Sequence, residues 1–350
     1  MGIKNKRSTI KEVAVAAGVS TQTVSRVIND RPDVSPDTRQ RVQQVILQMD
    51  YQPSALARSL IQQRSLTLGV VTAGLKYIGP SRTLNGITSK AEELGYSLLL
   101  KELRRFDANN IVPLVQSLLA HHVDGIIWAV PEVGDNRTWL NDHLPDLFVP
   151  MVFLTMKPRS KVHVVSVDNY LGAEMATSHL LEQGYRHIGH VAGPLDWWEA
   201  RQRLDGWRDT LKNAGIAASD SQWAEGNWSS SSGAQAILKL MEQYPEMDAV
   251  FVANDQMALS VMQMACKRGL KIPKNLGVVG FDAIPESAYY WPPLTTVFQD
   301  QQNVGSTAVR EIIDIIEAQW VGQAIPEPKT ILIQPELLVR ESSVILKHRR

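Results

Sequence analysis

The sequence predicts an α/β protein in which a small all-α head precedes a larger core of two doubly wound parallel sheets. About the first sixty residues show only helical spacing of their apolar positions. From Leu66 onward, short apolar runs alternate with amphipathic segments, the pattern of parallel strands joined by helices. About 270 residues of this alternation exceed one typical sheet, so we expect two lobes.

Composition places the chain among ordinary globular proteins. Of its 350 residues, 44% are apolar and 21% are charged. The single cysteine, Cys266, excludes an intramolecular disulfide and a multi-cysteine metal site. The N-terminal segment lacks the apolar stretch of a secretory signal, and no run of about 18 apolar residues occurs. We therefore expect a cytoplasmic protein with no membrane span, metal or cofactor.

Three helices are predicted in the head. Thr9 and Glu12 form a capping-box pattern, and apolar positions follow at helical spacing until Gly18. Ser20 is placed to cap a second helix, and Ser35 followed by Pro36 is placed to begin a third. The positions expected to face the core of the head are Ile10, Val13, Ala14, Ala17, Val24, Val27, Ile28, Val42, Val45, Ile46 and Met49.

The second of these helices has a polar edge suited to DNA. The edge consists of Thr21, Gln22, Ser25, Arg26 and Asn29. A glutamine can bond an adenine, and an arginine a guanine, through two hydrogen bonds in the major groove. Residues 1–64 contain ten basic and five acidic residues, so they carry +5 and the rest of the neutral chain carries −5. This asymmetry favours a polyanionic partner for the head. The spacing alone leaves open an ordinary solvated helix face.

The core segments can be assigned one by one. The predicted strands are 66–72, 96–103, 124–130, 150–155, 163–168, 187–192, 248–253, 276–281 and 295–298. The predicted helices between them are 84–95, 109–121, 170–183, 200–214, 231–243, 256–268 and 301–318.

The head closely resembles that of the lactose repressor (LacI/GalR) family of transcriptional repressors. The similar segments are TIKEVAVAAGVSTQTVSRVIN, VSPDTRQRV and YQPSALARSL. The resemblance extends to about residue 343 and implies a core similar to periplasmic binding proteins. It implies a helix-turn-helix domain over 1–52, a hinge helix and linker over 53–65, an effector-binding and dimerisation core over 66–343, and a tail over 344–350. Within the core, the expected N-lobe covers about 66–167 and 301–328, and the C-lobe about 168–297 and 329–343.

The resemblance also implies how the chain would contact operator DNA. Thr21, Gln22 and Arg26 would read bases, whereas Ser20 and Asn29 would contact phosphates, which position the head without reading sequence. In the hinge helix, Ala57 would pack across the dyad and Leu60 would wedge into the minor groove. An apolar wedge of this kind kinks DNA at a cost of roughly a few kcal/mol, which added contacts offset.

Polar residues at strand ends predict a sugar site in the core. Asn254, Asp255, Asp282, Gln299 and Asp300 each follow or end a predicted strand, where open α/β sheets bind ligands. Such side chains can bond vicinal hydroxyls, and a tryptophan face can stack on a sugar ring. Helix capping is the alternative, and we expect it for Asp255 in particular.

The resemblance assigns a specific set of effector contacts. It is carried by AGPLDWWEARQRLDGW, GNWSSSSG, VANDQMAL, VVGFD and WPPLTTVFQD. It implies hydroxyl contacts by Arg203, Asn254 and Asp282, stacking by Trp228, a pocket completed by Gln299, and an N-lobe wall of Leu75 and Pro80. Three residues depart from the family's lactose-responsive pattern: Thr155 replaces an acid, while Trp197 and Glu199 replace small serines. They could select a different or larger sugar.

These features together predict a non-enzymatic regulator. The segment TAGLKYIGP after the first strand lacks the dinucleotide-binding glycine spacing, and no catalytic triad or metal-spaced histidine cluster is found. The expected partners are a palindromic operator, a small sugar such as a galactoside or related glycoside, and a second copy of the chain. A palindromic site needs a two-fold dimer. The resemblance implies that leucine heptads after the core would give a tetramer, and the tail VILKHRR contains none, so a dimer is expected. The alternatives are a ligand that acts as co-repressor and a sugar-binding protein without a regulatory role.

Overall fold

The computed structural model describes residues 8–28, 30–51, 64–107, 111–143 and 149–345. The chain divides into two compact units, Met1–Leu66 and Thr67–Arg350. The first unit contains the helices of the head, and the second contains the α/β core.

The described part of the head consists of three helices: α1 (Ile10–Ala17), α2 (Thr21–Ile28) and α3 (Pro36–Gln48). The capping box forms as predicted, because the Glu12 carboxylate accepts from the Thr9 N–H at 2.7 Å and Thr9 Oγ1 accepts from the Glu12 N–H at 3.3 Å. Gly18 has a φ of +63°, the left-handed conformation that ends α1 and turns the chain toward α2.

The predicted apolar positions form the core of the head. The fully or almost fully buried members are Val13, Ala14, Ala17, Val24, Val27 and Val42. Ile10, Ile28, Val45, Ile46 and Met49 are partly buried and pack against them. The helical spacing therefore predicted the packed faces of all three helices correctly.

The described part of the core alternates strands and helices. The strands are β1 (Thr67–Ala73), β2 (Ser97–Leu103), β3 (Gly125–Ala129), β4 (Met151–Leu154), β5 (His163–Val167), β6 (Ile188–Ala192), β7 (Trp223–Glu225), β8 (Ala249–Val252), β9 (Gly277–Asp282), β10 (Thr295–Phe298), β11 (Thr330–Ile333) and β12 (Glu336–Leu338). The helices are α4 (Ile78–Glu93), α5 (Val112–Leu119), α6 (Trp139–His143), α7 (Asn169–Glu182), α8 (Trp198–Asn213), α9 (Ser230–Gln243), α10 (Asp255–Lys267) and α11 (Gln301–Trp320).

Within the described residues, these strands form two six-stranded sheets. The N-lobe sheet has the order β11-β5-β4-β3-β1-β2 and is entirely parallel. The C-lobe sheet has the order β12-β10-β9-β8-β6-β7 and is parallel except for β12, which is antiparallel to β10. The chain passes between the lobes after β5, after β10 and after β11. The predicted α/β class with two doubly wound sheets is confirmed.

All nine predicted strands occur with ends within one residue of those expected. The prediction missed β7, β11 and β12, which are short strands at the sheet edges. It was also wrong in assigning all of 329–343 to the C-lobe, because β11 pairs in parallel with β5 of the N-lobe. The chain returns from α11, which packs on the N-lobe sheet, so its next strand joins that sheet and the crossing falls after Ile333.

The helix predicted over 84–95 begins earlier, at Ile78. Gly79 and Pro80 suggest a loop, but a proline in the first turn of a helix needs no hydrogen bond for its nitrogen. This early start brings the N-terminal turn of α4 to the C-terminal edge of the N-lobe sheet. Among the described helices, none combines the length and apolar character required to cross a membrane.

Candidate functional site

A cavity lies between the two lobes of the core, near the C-terminal ends of strands in both sheets. Its volume is about 100 Å³. From the first lobe it is lined by Tyr77, Ile78, Gly79, Pro80, Thr83, Ala129, Pro131, Thr155 and Gln301. From the second lobe it is lined by Trp197, Glu199, Arg203, Trp228, Asn254, Gln256, Asp282 and Gln299. Ligands of open α/β sheets bind at this edge.

Six of the seven predicted effector residues line this cavity. They are Pro80, Arg203, Trp228, Asn254, Asp282 and Gln299. Leu75 does not line it, contrary to the prediction. It lies in the turn before α4, where the Tyr77 N–H donates to the Gly74 carbonyl at 2.9 Å, and it lines a neighbouring cavity beside Glu102.

Arg203 and Asp282 form the charged centre of the cavity. An Arg203 guanidinium nitrogen lies 3.9 Å from Asp282 Oδ1, and the guanidinium stacks on the Phe281 ring with 3.7 Å to its centroid. Arg203 Nε donates to Asn169 Oδ1 at 2.9 Å, which fixes the plane of the guanidinium. Burial raises the pKa of Asp282 to about 6, although Arg203 and a hydrogen bond from Gln299 oppose the increase. The pair can offer donors and acceptors to neighbouring hydroxyl groups.

A chain of hydrogen bonds connects this centre to the N-lobe. Gln299 donates to Asp282, and Gln301 Nε2 donates to Gln299 Oε1 at 2.8 Å. Thr83 Oγ1 of α4 in turn donates to Gln301 Oε1 at 2.7 Å. All four side chains are buried, so a change in the hydrogen bonding of Asp282 can reach α4 through these three consecutive hydrogen bonds.

Asn254 has two roles. Its Oδ1 accepts from the Met257 N–H at 2.9 Å, which caps α10, and its Nδ2 donates to the Trp228 carbonyl at 3.0 Å. The expected cap, Asp255, is instead buried behind the cavity. It accepts from Thr296 Oγ1 at 2.6 Å and from the Ile284 N–H at 2.9 Å. The prediction was thus wrong about which of the two residues caps the helix.

Aromatic side chains form the wall at which the lobes meet. Trp197, just before α8, lies with its ring centroid 4.6 Å from that of Phe106, 5.8 Å from Trp228 and 6.5 Å from Tyr77. Trp197 and Tyr77 also line the neighbouring cavity that contains Leu75. Backbone contacts join the lobes at the same place, because the Trp198 N–H donates to the Glu132 carbonyl at 3.1 Å.

The position of the Trp228 indole depends on Gly193, which lies against the far edge of the ring. A Cβ atom at Gly193 would lie 2.1 Å from the far edge of the Trp228 indole. The guanidinium carbon of Arg203 lies 5.5 Å from the centroid of the same ring. Only glycine at 193 therefore allows the indole its present position beside Arg203.

The head exposes part of its predicted DNA-binding edge. Thr21 and Gln22 are exposed, Ser25 is partly buried, and Arg26 is exposed and forms an ion pair with Asp33 at 3.3 Å. Ser20 is also exposed, and its Oγ accepts from the Thr23 N–H at 3.1 Å as the cap of α2. Asn29, Ala57 and Leu60 lie outside the described residues.

Sequence reasoning did not identify several cavity residues. Tyr77 precedes α4 and Thr83 lies in its second turn, in a segment to which no helix was assigned, and Gln301 was assigned only to a helix. Gln301 lies next to Asp300, the cap of α11, and the polar run QDQQ after β10 was the available signal. Thr155, Trp197 and Glu199 had been noted as departures, and all three line the cavity.

Comparison with known proteins agrees with this arrangement. A family model described as bacterial regulatory proteins of the lacI family matches residues 9–54, and a model of a periplasmic binding protein-like domain matches residues 177–343. The lactose operon repressor of Escherichia coli K12 is 34% identical over 323 residues, which are 92% of this chain and 89% of that protein.

Solved structures give the same result. A lac repressor dimer bound to operator and the anti-inducer ONPF is similar with a TM-score of 0.85 at 32% identity, over 97% of this chain and 100% of that one. A complex of the transcriptional regulator CelR with cellobiose is similar with a TM-score of 0.71 at 30% identity, over 96% of this chain and 100% of that one. The chain therefore belongs to the lacI family of bacterial regulatory proteins, as its sequence motifs predict.

Proposed function

We propose that this repressor binds a palindromic operator with an affinity that changes when a small sugar, a galactoside or related glycoside, occupies the inter-lobe cavity. The observation that carries the proposal is the cluster of Arg203, Asp282, Asn254 and Gln299 beside the indole of Trp228. Charged and amide groups of this kind bind hydroxyls, and the indole supplies an apolar face for a sugar ring.

The similar proteins support the binding of a small ligand by this chain. One is described in complex with operator and ONPF, and another in complex with cellobiose. In this chain, the balance of polar and aromatic side chains around the cavity favours a neutral polyhydroxylated ligand. Arg203 and Asp282 already neutralise each other, so a ligand with net charge would leave one buried charge uncompensated.

The sugar would act on the operator by changing the angle between the lobes. Because the cavity walls come from both lobes, a bound sugar favours one lobe arrangement over another. The polar route from Asp282 to Thr83 gives the ligand a contact with α4. We expect the sugar to weaken operator binding, by about 1–3 kcal/mol of coupling free energy. A co-repressor would strengthen operator binding by the same mechanism.

The experiment is an operator titration with and without sugar. A palindromic duplex selected by the purified protein from a random library is labelled, and its Kd is measured by fluorescence anisotropy at one fixed salt concentration. Lactose, methyl β-galactoside, cellobiose and ribose are then added in turn. A Kd increased by about fivefold or more by at least one sugar supports induction, and a decreased Kd supports co-repression. An unchanged Kd with every sugar refutes the proposed regulation.

For the head, we propose that Thr21, Gln22 and Arg26 read bases, with Ser25 on the same edge and Ser20 and Asn29 at phosphates. The exposure of Thr21, Gln22 and Arg26 along one edge of α2 supports this assignment. We also propose that two copies of the chain bind one operator, with Ala57 and Leu60 of each copy at its centre. A two-fold protein matches a palindromic site, so light scattering should give the mass of a dimer.

A further inference from the structure

Glu199 is a buried cavity residue with an unused hydrogen-bonding atom. It lies in the first turn of α8, four residues before Arg203, and both side chains line the cavity. Glu199 is only 6% exposed, and its Oε2 atom is buried with no hydrogen-bond partner among the described residues. A buried carboxyl oxygen without a partner is unfavourable, and a hydrogen-bond donor on a bound molecule would remove that penalty.

The nearby cations make their hydrogen bonds elsewhere. Arg203 donates to Asn169 and to the Ala253 carbonyl. Arg137, which is fully buried, donates to the Val130 carbonyl and to Asn136. Both guanidinium groups therefore act on Glu199 only through their charge.

The acids nearby also have partners of their own. Glu132 accepts from Arg159 at 2.9 Å and from the Lys157 N–H at 2.7 Å. Glu199 thus differs from Glu132 in lacking a partner for one oxygen, and that oxygen belongs to a side chain in the cavity wall.

The protonation of Glu199 changes near neutral pH. Burial raises the pKa of its carboxyl group to about 7, while the charges of Arg203 and Arg137 oppose the increase and Glu132 adds to it. A hydrogen bond that favours the ionised carboxylate would lower this pKa again and release a proton from the protein.

We propose that Glu199 is a specificity-determining residue of the cavity, whose Oε2 accepts a hydrogen bond from a hydroxyl group of the bound sugar. The inference rests on the proposed sugar-binding function and names a contact that the predicted effector residues do not include. Because the hydroxyl donates to the ionised carboxylate, sugar binding releases a proton and becomes tighter as the pH increases through about 7.

Isothermal titration calorimetry of the full-length protein tests the contact. Lactose, methyl β-galactoside, cellobiose and ribose are titrated at pH 6, 7 and 8 in pairs of buffers with different ionisation enthalpies. For a sugar that binds, we expect release of about half a proton at pH 7 and a lower Kd at pH 8 than at pH 6. Glu199→Gln should increase the Kd by about tenfold or more and abolish the proton release.

Two further variants separate this role from a general effect on folding. Glu182→Gln makes the same chemical change at an exposed position at the end of α7 and should leave both the Kd and the proton release unchanged. Glu199→Asp keeps a titratable carboxyl group but shortens it by one methylene, which weakens the contact, so the Kd should increase and the proton release should decrease together. If thermal unfolding shows that Glu199→Gln is not folded, Glu199→Asp provides the test.

The outcomes distinguish the role of Glu199 from the proposed sugar-binding function. If a sugar binds and Glu199→Gln retains both the affinity and the proton release, the role of Glu199 is refuted and the proposed function stands. Proton uptake on binding would also refute it, because Glu199 would then remain protonated and act as a donor. If none of the four sugars binds, the proposed function fails and the role of Glu199 fails with it.

Discussion

Replacing Gly193 with alanine tests the wall against which we expect the sugar to stack. The added Cβ would lie 2.1 Å from Cη2 and 2.4 Å from Cζ3 of Trp228. Non-bonded carbon atoms are most stable at about 3.5–4.0 Å, so the indole must move by about 1.5 Å. This movement changes the position of the ring relative to Arg203, whose guanidinium carbon lies 5.5 Å from its centroid.

The expected cost has two parts. Overfilling a packed site destabilises a protein by about 1–3 kcal/mol. Loss of the Trp197–Trp228 contact, with centroids 5.8 Å apart, adds about 0.5–1.5 kcal/mol. A displaced indole also stacks poorly on a sugar, and a loss of about 1.4 kcal/mol in binding corresponds to a tenfold higher Kd.

A double-mutant cycle measures the interaction directly. Urea unfolding and sugar calorimetry are carried out on Gly193→Ala, Trp228→Ala and the double variant. Because Trp228→Ala removes the ring that the new methyl would contact, Gly193→Ala should cost no more than about 0.5 kcal/mol in that background. An equal cost of Gly193→Ala in both backgrounds would show that the clash with Trp228 is not the cause and would refute the reasoning.

Four further changes have defined outcomes. Gln22→Ala should weaken binding of the selected operator by about 1–3 kcal/mol relative to a scrambled duplex in anisotropy titrations, whereas the exposed Gln43→Ala on α3 should have no such effect. Arg203→Lys should increase the sugar Kd at least tenfold in calorimetry, because an ammonium group lacks the planar fork that reaches both Asn169 and Asp282. Trp197→Ala should weaken the binding of cellobiose more than the binding of methyl β-galactoside, because Trp197 lines both the inter-lobe cavity and the neighbouring cavity. Equal losses of affinity for the two sugars would contradict this. Burial raises the pKa of Asp255 to about 7, so the contribution of its protonated form to stability is present at low pH and is lost as the pH increases through 7. The Tm of the protein should therefore decrease between pH 6 and pH 8, and this decrease should be smaller in Asp255→Asn.

Local sequence patterns predicted most of the fold because they reflect whether a helix or strand is buried on one side or on both sides. The central strands are continuous apolar runs, such as β4, and all of its residues are buried. The edge strands β11 (TILI) and β12 (ELL) are only partly buried, and their apolar runs are just three and two residues long, so periodicity could not distinguish them from loops. The first turns of α4 were missed because the proline in them is compatible with both a loop and a helix start.

The site was harder to predict because its contacts join distant parts of the chain. Thr83 and Gln301 are 218 residues apart and share a buried hydrogen bond. Family resemblance supplied Arg203 and Trp228, but it gave no indication that one oxygen of Glu199 is buried without a partner. It also placed Leu75 in the cavity, whereas the turn before α4 directs that residue to the neighbouring cavity.

The three passages of the described chain between the lobes limit how the core can be divided. Each lobe is assembled from separate stretches of sequence, since β11 completes the N-lobe sheet and β12 the C-lobe sheet. A protease that cuts any single passage, for example between Val167 and Asn169, leaves the two lobes connected by the other two passages. The two fragments also stay paired, because at least one sheet contains strands from both of them. Any change in the angle between the lobes must therefore be accommodated in all three passages at once.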